Sequence, residues 1–267
     1  MFVEMGVDRI HHGFWKFHDT THRLYEPGNK YEFAIKEYYQ YLDQEIAGLL
    51  QAVDDDTVIL VVSDHGAKRM DGGFCLNQWL LREGYLVFKD EVPAGQLTPF
   101  EKLAVDWSKT TAWGSGGYYG RLWLNVQGRE PEGVVPPEQY ERVRAEIVAK
   151  LAGMVDPVGQ PLHNICFKPE EIYHEVRNVS SDLIIYFGDP HWRSVGSLGH
   201  ADIYTFENDT GPDDANHAQD GLIIYYDPRQ RLGGQQLSGL QLMDVAPTIL
   251  QLMGLPVPSE MQGKAIA

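Results

Sequence analysis

Apolar residues fall into two kinds of pattern that alternate along the chain. Short continuous apolar runs, bounded by polar or turn-forming residues, are typical of buried strands. Apolar residues recurring at three- and four-residue steps predict amphipathic helices. Strands are predicted at 57–62, 121–126, 183–187 and 222–226, with a short extended piece at 85–88. Helices are predicted at 31–53, 76–83, 136–151 and 240–253.

This alternation predicts the fold class. Strands that alternate with helices and are apolar along their whole length are typical of an α/β protein with a mostly parallel sheet, buried on both faces. No internal repeat or linker-like change of composition interrupts the 267 residues, so we predict a single domain over 1–267. Residues 1–8 resemble the tail of a strand that enters a loop.

Composition and charge narrow the range of partners. The net charge is −16, and no cluster of Lys and Arg is interleaved with aromatic residues, which argues against a nucleic acid partner. An acidic protein can still bind a small phosphate ester where metal cations reverse the local field. No apolar run reaches the roughly 18 residues that span a bilayer, and no signal peptide is evident, so no membrane partner is expected. Cys75 and Cys166 are far apart, which predicts reduced thiols in a cytoplasmic protein.

Acidic and histidine side chains stand close to several predicted strand ends. The run 57–62 ends in Ser63, Asp64, His65 and Gly66. In open α/β sheets ligands bind at the carboxyl ends of strands, and Asp with His suits Zn²⁺ or Mn²⁺. The alternative is that Asp64 caps a following helix and His65 is an ordinary loop residue.

Two further places share this composition. Asp8 and His12 are four residues apart, which brings two side chains together on one helical turn. His217 lies in a polar segment shortly before the strand 222–226. Taken singly, the first pair could be a capped turn and His217 a loop histidine, but together the three places favour a metal centre.

In this order, the motifs resemble the alkaline phosphatase superfamily. They are Asp-x-x-x-His at 8–12, strand-Ser-Asp-His-Gly at 57–66, and Asn-His-x-x-Asp-Gly at 216–221. The branch to which the chain is most similar is the type I phosphodiesterase/nucleotide pyrophosphatase family. The tail at 243–256 is similar to the closing helix of that family, so the resemblance extends over most of the chain.

The resemblance implies a fold, a reaction and a set of ligands. It implies an alkaline phosphatase-like three-layer sandwich and a metal-dependent hydrolase of phosphodiester or nucleotide pyrophosphate bonds. Asp8, His12 and His217 would hold one divalent ion, and Asp64 and His65 would help to hold a second. The ions would be zinc, with manganese as the alternative, and would clamp a small phosphoester substrate during in-line displacement.

One part of the family pattern has no match. That pattern opens with a strand ending in an Asp ligand of the second metal, followed by a Thr or Ser nucleophile. Ser63, Thr110 and Thr111 do not occupy the place of that nucleophile. We therefore assign no catalytic nucleophile and expect the sequence to be the C-terminal portion of such an enzyme, lacking the N-terminal strand or strands. It would have an incomplete second site, little activity alone, and an exposed sheet edge that favours self-association.

Two alternatives remain at this point. The same metal scaffold could serve a cofactor-independent phosphoglycerate mutase or a sulfatase, for which Arg9, Lys68 and Arg69 are weak support. The chain could instead be a catalytically inactive domain that binds metal or a partner protein. Substrate choice would depend on 106–120 and 191–213, where aromatic residues such as Tyr118 could stack on a base or belong to the core.

Overall fold

A computed structural model describes residues 1–207, 213–230 and 234–266. The helices are α1 (Gly6–His18), α2 (Ala34–Leu50), α3 (Leu76–Arg82), α4 (Tyr140–Ala152), α5 (Pro169–Ile172) and α6 (Val245–Leu252). The strands are β1 (Ile59–Val62), β2 (Gly66–Arg69), β3 (Gly72–Cys75), β4 (Ala112–Ser115), β5 (Gly120–Leu124), β6 (Ile165–Phe167), β7 (Leu183–Tyr186), β8 (Trp192–Val195), β9 (Tyr204–Thr205), β10 (Ala215–Ala218) and β11 (Ile223–Tyr226). The chain divides into two compact units, which are described in turn.

The first unit comprises Met1–Gln44 and the described residues of Ala67–Ala218, and it contains a large apolar core. A four-stranded sheet of order β4-β5-β7-β6 is contacted by α3 at β4 and by α4 at β6. Phe74, Leu80, Leu122, Ile147 and Leu183 are fully buried in this core. Each such side chain contributes roughly 1.5–3 kcal/mol by leaving water, so this packing stabilises the four-stranded sheet and the helices that contact it.

Strand direction differs from the prediction. The described strands do not form a mostly parallel central sheet. Strand β7 pairs antiparallel with both β5 and β6, and β4 with β5 and β1 with β11 are antiparallel too. Among the strand pairs whose register the structure describes, β3 with β8 is the parallel one. A continuous apolar run reports burial and not direction, and β7 is buried because helices pack on its sheet. The chain is therefore a mixed α/β protein with several small sheets.

The amino terminus also differs from the prediction, because α1 takes the place of the expected strand tail. Val7, Ile10 and Phe14 recur at helical spacing. Asp8 in the first turn and Lys16 in the last turn complement the helix dipole. The segment 85–88 is likewise not a strand, although its last residue makes an isolated bridge.

The second unit comprises Glu45–Gly66 and the described residues of Gln219–Ala267. Its sheet is the two-stranded ribbon of β1 and β11, in which Ile59 pairs with Tyr226 and Val62 with Ile223. The predicted closing helix is present as a short 3-10 turn followed by α6. Gly254, with φ +68°, follows the end of α6 in the left-handed conformation that suits glycine.

Candidate metal centre

Helix α1 supplies two of the predicted ligands. Asp8 and His12 are one turn apart, so both side chains leave the helix on the same face. The Nε2 atom of His12 lies 3.2 Å from Oδ1 of Asp8. The side chain of His12 is only 16% exposed and that of Asp8 34% exposed, which limits the water around the pair.

Strand β10 supplies the third predicted ligand, and it contacts α1. The Nε2 atom of His217 lies 3.5 Å from Oδ1 of Asp8 and 3.3 Å from Nε2 of His12. One ligand atom from each residue lies within 4.8 Å of the other two. Among the described residues, this is the one group of at least three His, Cys, Asp or Glu side chains so arranged.

The three atoms fit a divalent ion. Two ligand atoms bound at about 2.1 Å to a tetrahedral zinc ion are about 3.4 Å apart. The separations among Asp8, His12 and His217 are 3.2, 3.3 and 3.5 Å. Two imidazole nitrogens and one carboxylate oxygen are also the donor set of many zinc sites that leave a fourth position for water or substrate.

Asp213 contacts the opposite side of the His12 ring. Its Oδ1 atom lies 2.6 Å from Nδ1 of His12. This hydrogen bond raises the pKa of His12 above its ordinary value, although burial of the ring acts in the opposite direction. The backbone is joined at the same place, because the Asp214 N–H donates to the His12 carbonyl at 2.9 Å. The sequence patterns did not indicate Asp213, since no periodicity relates it to His12.

Tyr118 covers the His217 ring. The two ring centroids are 3.8 Å apart, with 25° between the ring planes. Burial raises the pKa of the Tyr118 phenol. The Nδ2 atom of Asn216 donates to the Tyr118 carbonyl and to the Pro190 carbonyl, at 3.2 and 2.7 Å. Asn216, which precedes the predicted ligand His217, thus holds the backbone of Tyr118.

The loop that carries Tyr118 depends on its glycines. Gly117 exchanges two backbone hydrogen bonds with Ser194 of β8, both at 2.9 Å. A Cβ atom on Gly116 would lie 2.6 Å from the Gly196 nitrogen and 2.7 Å from the Ser194 oxygen, closer than such atoms approach. The glycine-rich segment is therefore a tightly packed loop beside the cluster.

Asp64 and His65 belong to the second unit, directly after β1. Their side chains are neighbours, with 3.7 Å between Asp64 Oδ1 and His65 Nε2. The His65 Nδ1 atom lies 2.8 Å from the Gly66 carbonyl oxygen and donates to it, which leaves Nε2 as the basic nitrogen. They do not belong to the group formed by Asp8, His12 and His217, and their role at a second metal stays a prediction.

The hydroxyls of Ser63 and Thr110, which match no nucleophile motif, contact backbone groups. Ser63 Oγ accepts the Leu222 N–H at 2.8 Å. Thr110 is fully buried, and its hydroxyl accepts the Val87 N–H and donates to the Val87 carbonyl. Ser63 thus contacts the Leu222 amide, and the Thr110 hydroxyl joins both backbone groups of Val87.

The two basic residues near the second motif are each paired with a carboxylate. Lys68 Nζ lies 3.3 Å from a carboxylate oxygen of Asp189, and Arg69 Nε lies 2.5 Å from a carboxylate oxygen of Asp71.

Cys75 and Cys166 carry free thiols, and burial raises the pKa of Cys166 to about 12. Among the described residues, no helix is both long and apolar enough to cross a membrane.

Comparison with known proteins identifies the family. No curated protein matches the chain. Residues 1–213 match the family described as type I phosphodiesterase / nucleotide pyrophosphatase. The matched segment contains Asp8, His12, Asp64 and His65, and His217 lies four residues beyond it. Because the match covers most of the chain, this protein belongs to the type I phosphodiesterase / nucleotide pyrophosphatase family.

Proposed function

We propose that the chain carries the metal centre of a hydrolase that cleaves phosphodiester or nucleotide pyrophosphate bonds. Asp8, His12 and His217 would hold one divalent ion, zinc or alternatively manganese. The observation that carries this proposal is the set of separations of 3.2, 3.3 and 3.5 Å among their ligand atoms. Family membership supports the reaction class.

A second ion would be held in part by Asp64 and His65, and the remaining ligand has no match in this sequence. When bound, such ions supply Lewis-acid stabilisation of the phosphoryl oxygens and activate the nucleophile. With a net charge of −16, the protein needs local cations to attract an anionic ester. Neutral imidazoles and one carboxylate at the first site leave a bound ion with net positive charge for that purpose.

The residues of the chain would orient this chemistry. The Asp213 carboxylate accepts a hydrogen bond from His12 Nδ1, and the Tyr118 ring stacks on the ring of His217. Both contacts restrict rotation of a ligand ring, so less ordering is needed when an ion binds. The family also supports an alkaline phosphatase-like arrangement of the elements, which we include in the proposal.

The alternative activities have less support. A phosphoglycerate mutase needs basic side chains for its anionic substrate, but of Arg9, Lys68 and Arg69 the last two are each paired with a carboxylate. The second candidate is a metal-binding domain without turnover. It is favoured by one observation: no residue of this sequence matches the Thr or Ser nucleophile of the family pattern. The proposed partner is a small phosphoester, with neither nucleic acid nor membrane.

Hydrolysis of bis-p-nitrophenyl phosphate by the purified chain, with and without Zn²⁺ or Mn²⁺, tests the proposal. Without a matched nucleophile, we expect slow release of nitrophenol that depends on added metal and disappears in His12→Ala. A matched control is His174→Ala, which lies outside the cluster. Release that is equal with metal and with chelator would contradict the proposal. Metal binding without any release would favour the second candidate.

A further inference from the structure

We infer that Asp213 is a positioning residue, which fixes the ring tautomer of His12 and so presents Nε2 to the metal. The inference rests on the metal site of the proposed function. It concerns a residue that approaches the ring from the side opposite to the ligand cluster.

The contact has the geometry of a charge-assisted hydrogen bond. The His12 Nδ1 and Asp213 Oδ1 atoms are 2.6 Å apart, and each side chain is only 16% exposed. An ionised carboxylate can only accept hydrogen bonds, so the imidazole nitrogen must donate. At this short distance and low exposure, competition from water is weak.

This donation decides which nitrogen can bind a metal. A neutral imidazole carries one N–H, and placing it on Nδ1 leaves the lone pair on Nε2. That Nε2 atom is the one 3.2 Å from Asp8 and 3.3 Å from His217. The other tautomer would direct its N–H at Asp8 Oδ1, 3.2 Å away, and would set the Nδ1 lone pair against the Asp213 carboxylate, which is closer at 2.6 Å.

The backbone reinforces the same arrangement. Asp213 and His217 are four residues apart on the segment that forms β10, so one segment supplies a ligand and the group that orients another ligand. The Asp214 N–H donates to the His12 carbonyl at 2.9 Å. Asp213 and its neighbour Asp214 thus bind the ring and the backbone of His12. Because the backbone contact fixes the segment, Asp213 has little freedom to move away from the ring.

Asp214 is a matched control for charge. It is the adjacent carboxylate, it is buried, and its Oδ2 atom lies 3.2 Å from Lys16 Nζ. Asp214→Asn therefore removes one negative charge from the same segment without removing a contact to the His12 ring. Asp213→Asn keeps the size of the side chain but can present either an acceptor or a donor to Nδ1.

The test reads the tautomer directly. Ring-¹⁵N-labelled protein, free of metal and at a pH where the ring is neutral, would be studied by long-range ¹H–¹⁵N NMR, with His12→Gln to assign the signals. We expect the Nδ1–H tautomer of His12 in the wild type and in Asp214→Asn, and a mixture of tautomers in Asp213→Asn. Zinc affinity, measured by competition with a chelating dye, should fall about 10–100-fold in Asp213→Asn and less than about threefold in Asp214→Asn.

Each outcome bears on the inference separately from catalysis. An Nε2–H tautomer in the wild-type protein would overturn it, without any variant having to fold. An unchanged tautomer and unchanged zinc affinity in Asp213→Asn would also overturn it. Because neither readout uses substrate, the inference can hold even if the chain hydrolyses no phosphoester, and can fail while hydrolysis is observed.

Discussion

The ring of Tyr118 stacks on the ring of His217, with 3.8 Å between their centroids. The tyrosine lies between β4 and β5, whereas the histidine belongs to β10. The third predicted ligand, on a short strand, is thereby held by an aromatic side chain from a distant part of the sequence. This contact restricts the imidazole before any ion binds.

The first prediction concerns this stack. Aromatic pairs contribute about 0.5–1.5 kcal/mol beyond their buried area. Tyr118→Ala leaves the His217 ring to be ordered when an ion binds, so zinc binding should weaken by at most roughly 10-fold. Tyr118→Phe should keep the affinity, because it retains the ring. Tyr119→Ala is the matched control, since Tyr119 pairs with Tyr186 and not with a ligand. Competition titration with a chelating dye measures the effect, and equal affinities for Tyr118→Ala and the wild type would count against it.

The second prediction concerns the loop beneath Tyr118. Gly116→Ala places a Cβ atom against the backbone of Gly196 and Ser194, so we expect destabilisation by about 1–3 kcal/mol. Gly13→Ala, in the middle of α1 with open space around it, should instead stabilise by up to about 1 kcal/mol. Urea unfolding of metal-free protein measures both changes. If Gly116→Ala and Gly13→Ala unfold at the same urea concentration, the close packing of Gly116 against Gly196 and Ser194 does not affect stability, and the prediction is wrong.

The third prediction concerns pH in the second unit. Asp227 has a buried side chain and accepts hydrogen bonds from the Arg229 guanidinium, which lowers the pKa of the carboxyl from 3.8 to about 2. A carboxyl whose pKa is lowered by folding stabilises the protein above its unfolded pKa. That contribution declines as the pH falls from about 4 towards 2. The stability difference between wild type and Asp227→Asn should therefore be constant from pH 7 to 5 and narrow below pH 4.

Denaturant unfolding at a series of pH values measures this difference. Arg229→Gln should destabilise the protein at least as much as Asp227→Asn above pH 5, because it leaves the buried Asp227 carboxylate without its cation, whereas Asp227→Asn leaves a half-exposed guanidinium. A difference between wild type and Asp227→Asn that is as large at pH 2.5 as at pH 7 would contradict the argument.

The fourth prediction concerns self-association. Val61, Val62, Ile224 and Tyr226 of the β1–β11 ribbon are exposed by 36, 36, 56 and 55%. Exposed apolar strands pair readily with other strands, so we expect an average mass that rises with protein concentration. Light scattering should show less association for Ile224→Lys. A concentration-independent monomer mass for the wild-type protein would reject this expectation.

Local spacing predicted much of the site but not its supporting contacts. Four-residue spacing predicted that Asp8 and His12 share a helical turn, and they do. The position of His217 near a strand start favoured a shared metal site, and the structure brings it to the other two. The contact of Asp213 with His12 joins residues 201 positions apart, and no local pattern reports such a contact.

The fold was predictable to a similar extent. Helices α3 and α6 and strands β1, β7 and β11 lie within predicted segments, because apolar periodicity reports burial. The predicted parallel direction was wrong for β1 with β11 and for β5 with β7, because direction depends on which strands meet and not on their composition. Short strands such as β2 and β10 contain charged or polar residues, so their pairing could not be predicted from an apolar run.

The zinc content of the purified chain tests the central claim most directly. Elemental analysis after dialysis should find zinc bound by the wild type and by His174→Ala. His217→Ala should lose the ion held with Asp8 and His12, because two ligands remain where three are needed. Circular dichroism should show that the variant stays folded. A folded His217→Ala protein with the zinc content of the wild type would contradict the account.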